Sequence, residues 1–160
     1  IVYTSDQAHS SVKKACMVAG VHLDNLRVLE TNELGQLMPE TLEKAIVDDK
    51  SKGLFPCYTV ATVGTTGVTA NDPIRGLGEI TQKHNVWFHV DAAFSGAACI
   101  LPDFRCLLDG IELADSFNFN PHKWLLVNFD CSAHWVKDRN ALIDSLSVTP
   151  SYLRNAATDS

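Results

Sequence analysis

Short apolar runs alternate with stretches of helical period along nearly the whole of the 160-residue chain. "IVYT" precedes a helical "SSVKKACMVAG" that stops at Gly20, and "LRVLE" precedes a helix entered at Pro39 and carried through "PETLEKAIVDDKSKG". "PCYTVATV" then gives way to a Gly-Thr-Thr-Gly turn and a helix between Pro73 and His84. The β-branched and aromatic "VWFHV" that follows reads as a strand buried on both faces. Beyond Asp91 the pattern predicts a loop, a short helical piece from Pro102 to Leu108, strands at "DSFNFN" and "CSAHWV", and a helix from Asp138. Strands and helices in alternation predict an α/β fold with a mainly parallel sheet. In such a sheet ligands bind beyond the carboxyl ends of the strands, so polar residues at those ends are the candidates for chemistry.

Composition leaves that picture in place and removes some functions. A hydrophobic share of 46% with 20% charged residues is a globular balance, and the net charge of −6 with scattered Lys and Arg argues against a nucleic-acid partner. No run is long enough to span a membrane, and the N-terminal pattern does not read as a signal peptide. The five cysteines, at 16, 57, 99, 106 and 131, are odd in number and lack C-x-x-C spacing. They read as reduced core cysteines of a cytoplasmic protein. The chain opens on Ile1 inside a strand-like run and closes in a polar tail, which reads as one contiguous piece of one domain.

Candidate residues occur at four strand ends: Asp91 closes "VWFHVD", His9 follows "IVYTSDQA", Thr65 and Thr66 follow "TVATVG", and Lys123 follows "DSFNFNPH". Singly these are a helix cap, a first-turn polar residue, turn formers and a surface charge. One ligand, pyridoxal phosphate (PLP), accounts for all of them. Its aldehyde requires a lysine amine, which Lys123 offers, and its pyridine nitrogen requires a carboxylate to stay protonated, which Asp91 offers. Its flat ring packs between a small residue, Ala93, and an imidazole, His9, and its phosphate takes donors from Asn120 and His122.

"SDQAHSS", "HVDAA" and "NPHKWLLVNFDCS" resemble the motifs of PLP-dependent aromatic L-amino acid decarboxylases, a group II decarboxylase family, across essentially all 160 residues. The resemblance implies the large domain of the type I, aspartate aminotransferase-like fold, with an N-terminal segment and a C-terminal small domain lying outside this chain. It implies Lys123 as the Schiff-base lysine, Asp91 as partner of the ring nitrogen, His9 as the stacking and catalytic histidine, and Ala93 beneath the ring. The resemblance further implies phosphate contacts near Asn120 and His122, Thr66 close to the cofactor, and, in "SVTPSYLRN", Tyr152 as the acid of a mobile catalytic loop. It also implies a homodimer with sites at the subunit interface.

Aldehyde-forming relatives replace the histidine by Asn or the tyrosine by Phe; His9 and Tyr152 therefore favour the amine product. Histidine decarboxylases tend to carry Ser at position 122, so His122 favours DOPA, 5-hydroxytryptophan, tyrosine or tryptophan as substrate. Phe94 departs from the tyrosine usual at that place. Other classes fit less well. A nicotinamide-binding domain needs G-x-G-x-x-G after its first strand, which "YTSDQAHSS" lacks. His84, His89, Cys99 and Cys106 match no zinc spacing. A catalytically incomplete fragment, serving only as a partner of full-length subunits, is the remaining rival.

Overall fold

The computed structural model describes residues 1–148. Six strands are present: β1 (Val2–Ser5), β2 (Leu26–Leu29), β3 (Tyr58–Thr62), β4 (Trp87–Asp91), β5 (Ser116–Phe119) and β6 (Ala133–Val136). Five α-helices accompany them: α1 (Ser11–Val18), α2 (Pro39–Ser51), α3 (Ile74–His84), α4 (Pro121–Trp124) and α5 (Arg139–Leu146). Local chemistry sets several of the boundaries. Pro39 opens α2, where a missing N–H costs nothing, and Asn85 ends α3 in the left-handed region at φ 56°. The Asp138 side chain accepts the Asn140 N–H at 2.9 Å and caps α5.

The strands form one sheet in the order β2-β1-β3-β4-β5-β6, parallel throughout except for the antiparallel edge strand β6. The chain leaves β1 toward one edge and returns at β3 to build toward the other. The sequence therefore reverses its direction across the sheet between β1 and β3, and the loops leaving those two strands diverge to open a crevice. His9 stands in one of these loops and Thr66 in the other.

Leu42 and Ile46 of α2 and Ile74 and Leu77 of α3 pack with Ala61, Val63, Phe88 and Val90 in the main core. At its margin Asp49, 2% exposed, takes hydrogen bonds from Tyr3 Oη at 3.0 Å and Arg27 Nη2 at 2.7 Å. This pins α2 to β1 and β2. Burial works against the Asp49 carboxylate, but the Arg27 guanidinium and the Tyr3 hydroxyl hold its pKa below the ordinary value.

Three expectations are corrected. β4 is buried on one face only: Phe88 and Val90 are buried, whereas Trp87, His89 and Asp91 are half-buried and alternate with them. The loop after Asp91 contains a 3-10 helix at Ser95–Ile100, so small residues there wind tightly rather than run irregularly. Cys16 on α1 and Cys99 in the 3-10 helix Ser95–Ile100 lie in the interior, but Cys57 and Cys131 in loops and Cys106 in the 3-10 helix Pro102–Leu108 are exposed, because those segments run over the surface.

Candidate active site

A cavity of about 870 Å³ opens at the carboxyl end of the sheet, on the face opposite α2 and α3. Small-molecule sites occupy about 300–1,000 Å³. His9, Thr66, Asp91, Ala93, Asn120, His122 and Lys123 all line it. Seven positions separated by more than a hundred residues in sequence are thus brought to one space. Tyr152 lies outside the described residues.

Asp91 ends β4 in register with Thr62 on one side and Asn118 on the other. Its Oδ1 accepts the Ala93 N–H at 3.0 Å and Asn118 Nδ2 at 3.3 Å. Lys123 sits in the short helix α4, which begins at Pro121 and is anchored by the Lys123 N–H on the Asn120 carbonyl at 3.0 Å. Its side chain is exposed to the cavity mouth. Asn120 Oδ1 accepts Ser132 Oγ at 2.8 Å, and His122 Nδ1 accepts the Cys131 N–H at 2.9 Å, so both are held by the segment that leads into β6. His9 Nδ1 accepts the Ser11 N–H at 3.2 Å, which leaves Nε2 to carry the proton of a neutral ring.

Thr65 and Thr66 separate in role. Thr65 is buried, and its hydroxyl accepts the Ala70 N–H at 3.0 Å to close the turn, whereas Thr66 is exposed on the cavity wall. Asp72 stands behind the turn, 3% exposed, accepting the Thr62 N–H at 2.7 Å and the Leu37 N–H at 2.8 Å. Burial raises its pKa to about 6, against the pull of those two donors. Gly64 fits tightly at φ 85°, because a Cβ there would run into the Ser95 side chain. Phe94 stacks on Trp124 at 4.9 Å between ring centroids with planes 7° apart, which ties the loop after β4 to the helix that carries Lys123.

Tyr58, Thr62, His89 and Asn118 also line the cavity and are absent from the residues expected above. The signal for them is the two-residue period. "WFHVD" and "SFNF" each alternate a polar series with a buried or aromatic one, which puts His89 on the face of Asp91, and the pairing of β5 with β4 then sets Asn118 beside Asp91. No group of His, Cys, Asp and Glu suited to a metal occurs among the described residues.

The chain matches the pyridoxal-dependent decarboxylase conserved domain along residues 1–160. It belongs to the pyridoxal-dependent decarboxylase family. Among its relatives, tyrosine decarboxylase 2 of Narcissus pseudonarcissus is 53% identical over 160 residues, covering 99% of this chain and 32% of that protein. Phenylacetaldehyde synthase of Arabidopsis thaliana is 51% identical over 160 residues, covering 99% of this chain and 33% of that protein. The crystal structure of Oryza sativa TDC with PLP and tryptamine superposes with a TM-score of 0.92 at 43% identity, covering 99% of this chain and 33% of the other. The chain spans about a third of the length of these relatives.

The residues present fit the family's cofactor. A free amine, a half-buried carboxylate and a small residue meet in one cavity of suitable size. The buried Thr62 Oγ1, on the same wall, has no hydrogen-bond partner among the described residues.

Proposed function

We propose that this chain is part of the cofactor-binding large domain of a PLP-dependent carboxy-lyase that converts an aromatic L-amino acid to its amine and carbon dioxide. The observation that carries the reading is the meeting of Lys123, Asp91 and Ala93 at one cavity at the carboxyl end of the sheet. The names of the relatives, which act on tyrosine or tryptophan, support an aromatic substrate. We take the working form to be a cytoplasmic homodimer.

PLP, when bound, supplies an aldehyde that joins amines covalently and a protonated ring that accepts the electron pair left by a departing carboxylate. Lys123 would hold the aldehyde carbon through its amine, on a side chain long enough to swing aside for the amine of a substrate. Asp91 keeps the proton on the ring nitrogen, since an opposite charge in a half-desolvated site favours the charged form. Ala93 allows close approach to one face of the ring, and His9 covers the other. Asn120 and His122 would bind and orient the phosphate, with Thr66 close to the cofactor. Tyr152 delivers the proton to the carbon that has lost its carboxylate.

The phenylacetaldehyde synthase among the relatives makes a second outcome specific. Oxygen and water then replace that proton transfer, and the products are the aldehyde, carbon dioxide, ammonia and hydrogen peroxide. The deciding experiment offers full-length enzyme tyrosine, tryptophan, DOPA, 5-hydroxytryptophan and histidine under air and quantifies amine, carbon dioxide, aldehyde and peroxide together. Amine equal to carbon dioxide, without peroxide, is expected, and Tyr152→Phe should divert most of the product to aldehyde. Peroxide matching carbon dioxide in the wild type would establish the second outcome, and release of histamine from histidine would sink the aromatic assignment.

A further inference from the structure

The cavity-facing side of β4 and β5 carries a continuous chain of hydrogen bonds that ends on Asp91. Trp87 Nε1 lies 2.9 Å from Ser116 Oγ, and Ser116 Oγ lies 2.8 Å from His89 Nδ1. His89 Nε2 lies 2.8 Å from Asn118 Oδ1, and Asn118 Nδ2 lies 3.3 Å from Asp91 Oδ1. Parallel pairing of His89 with Ser116 and of Asp91 with Asn118 puts the members side by side, and none contributes to the apolar core on the other face.

The direction of every proton follows from the two ends. An ionised Asp91 only accepts, so Asn118 presents its NH₂ to it and its carbonyl oxygen to His89. That oxygen also only accepts, so His89 Nε2 carries a hydrogen. Trp87 only donates, so the Ser116 hydroxyl accepts from the indole and keeps its own hydrogen to give. Turned to His89 Nδ1, that hydrogen completes a neutral ring with its proton on Nε2. Its surroundings agree: desolvation lowers the His89 pKa, outweighing Asp91 two residues along the same face, and the neighbouring rings are Tyr58 at 6.0 Å and His134 at 5.7 Å.

We infer that His89 is a positioning residue for cofactor binding, acting through Asn118: by fixing which end of the Asn118 amide faces Asp91, it holds an N–H donor on the carboxylate that partners the cofactor's ring nitrogen. Without the Nε2–H donor the amide is free to reverse and set its oxygen against the carboxylate, which would turn Asp91 or repel it. Thus a residue that reads as filler on a buried strand controls the electrostatics of its neighbour. The inference rests on the functional reading above, which assigns Asp91 to the ring nitrogen.

The test uses full-length apoenzyme, PLP labelled with ¹⁵N in the ring, and two substitutions that differ in reach. The amide of His89→Gln reaches the place of Nε2, and that of His89→Asn reaches only the place of Nδ1. PLP affinity is measured by equilibrium dialysis and ring-nitrogen protonation by the ¹⁵N resonance. His89→Asn should weaken PLP binding about tenfold, the loss of a hydrogen bond to a charged acceptor, and move the resonance toward unprotonated pyridine. His89→Gln should restore the resonance and bring affinity within about threefold of wild type. Equal impairment in both variants, or an unmoved resonance in His89→Asn, overturns the inference. Should His89→Asn fail to fold, Ser116→Ala removes the donor that keeps Nδ1 bare; an intermediate shift supports the relay and none refutes it. A wild-type apoenzyme that takes up no PLP overturns the functional reading and the relay together, whereas normal wild-type binding with unmoved variants overturns the relay alone.

Discussion

The two faces of β4 and β5 are made from the same strands and behave as different materials. On one face Phe88 and Val90 are fully buried against the main core with no polar atom to satisfy. On the other, Trp87, His89, Asp91, Ser116 and Asn118 link polar group to polar group while remaining close to a large cavity. The first face is held by area, which tolerates small shifts; the second by direction, which does not. A strand lets both coexist because its side chains alternate, so packing and chemistry occupy different residues one position apart.

If that division is real, substitutions should sort by face. The largest effect is expected from Lys123→Ala in the full-length enzyme: complete loss of turnover with little change in melting temperature, since the side chain is exposed and supports no packing. Borohydride reduction of the PLP-loaded wild type followed by peptide mapping should mark Lys123, and label on Lys13, Lys83 or Lys137 would remove the assignment. Phe88→Ala, on the packed face, should cost about 3–5 kcal/mol of stability in urea unfolding. Cofactor affinity should fall only as far as unfolding requires; a larger specific loss would mean that the faces are not separate. Asp91→Asn should do the reverse, leaving the unfolding midpoint in place and weakening PLP binding by on the order of thirtyfold, or about 2 kcal/mol.

The smallest effect tests a buried carboxyl that belongs to neither face. Asp72 has its folded pKa raised from 3.8 to about 6, so the folded state binds its proton more tightly than the unfolded chain. Its contribution is fully present below about pH 4 and is lost as pH rises through 6. Relative to Asp72→Asn, the wild type should gain about 1 kcal/mol between pH 7 and pH 5 in urea titrations. A gap that narrows over that range would show that the two N–H donors, rather than burial, control the group.

The order of strands and helices was legible because apolar runs of period two and stretches of period 3.6 alternate cleanly, and every candidate at a strand's carboxyl end except Thr65 reaches the cavity. Asp91, Lys123 and His9 were readable as a set, since each breaks its local pattern at a strand end and one ligand accounts for all three. His89 and Asn118 were not: their meaning depends on the register that places β5 beside β4, and register is a relation between segments more than twenty residues apart. The cysteines failed for a related reason, because a local apolar neighbourhood does not tell whether a connection runs inside or over the surface, as Cys57 and Cys131 illustrate. Phe94 became intelligible only with its stacking partner Trp124, thirty positions on.

The reversal between β1 and β3 also has a consequence in time. Val2 pairs with Leu26 on one side and Tyr58 on the other, so the strand acquires its two neighbours at separate moments as the chain is made. At about 5–20 residues per second the second neighbour emerges some 2–6 seconds after the first. During that interval one edge of β1 stands bare, with Tyr3 waiting for core partners such as Ala61 and Phe88 that have not yet been synthesised. The crevice that will receive a ligand begins, in a nascent chain, as an open strand edge that a ribosome-bound chaperone or a neighbouring polypeptide could reach first.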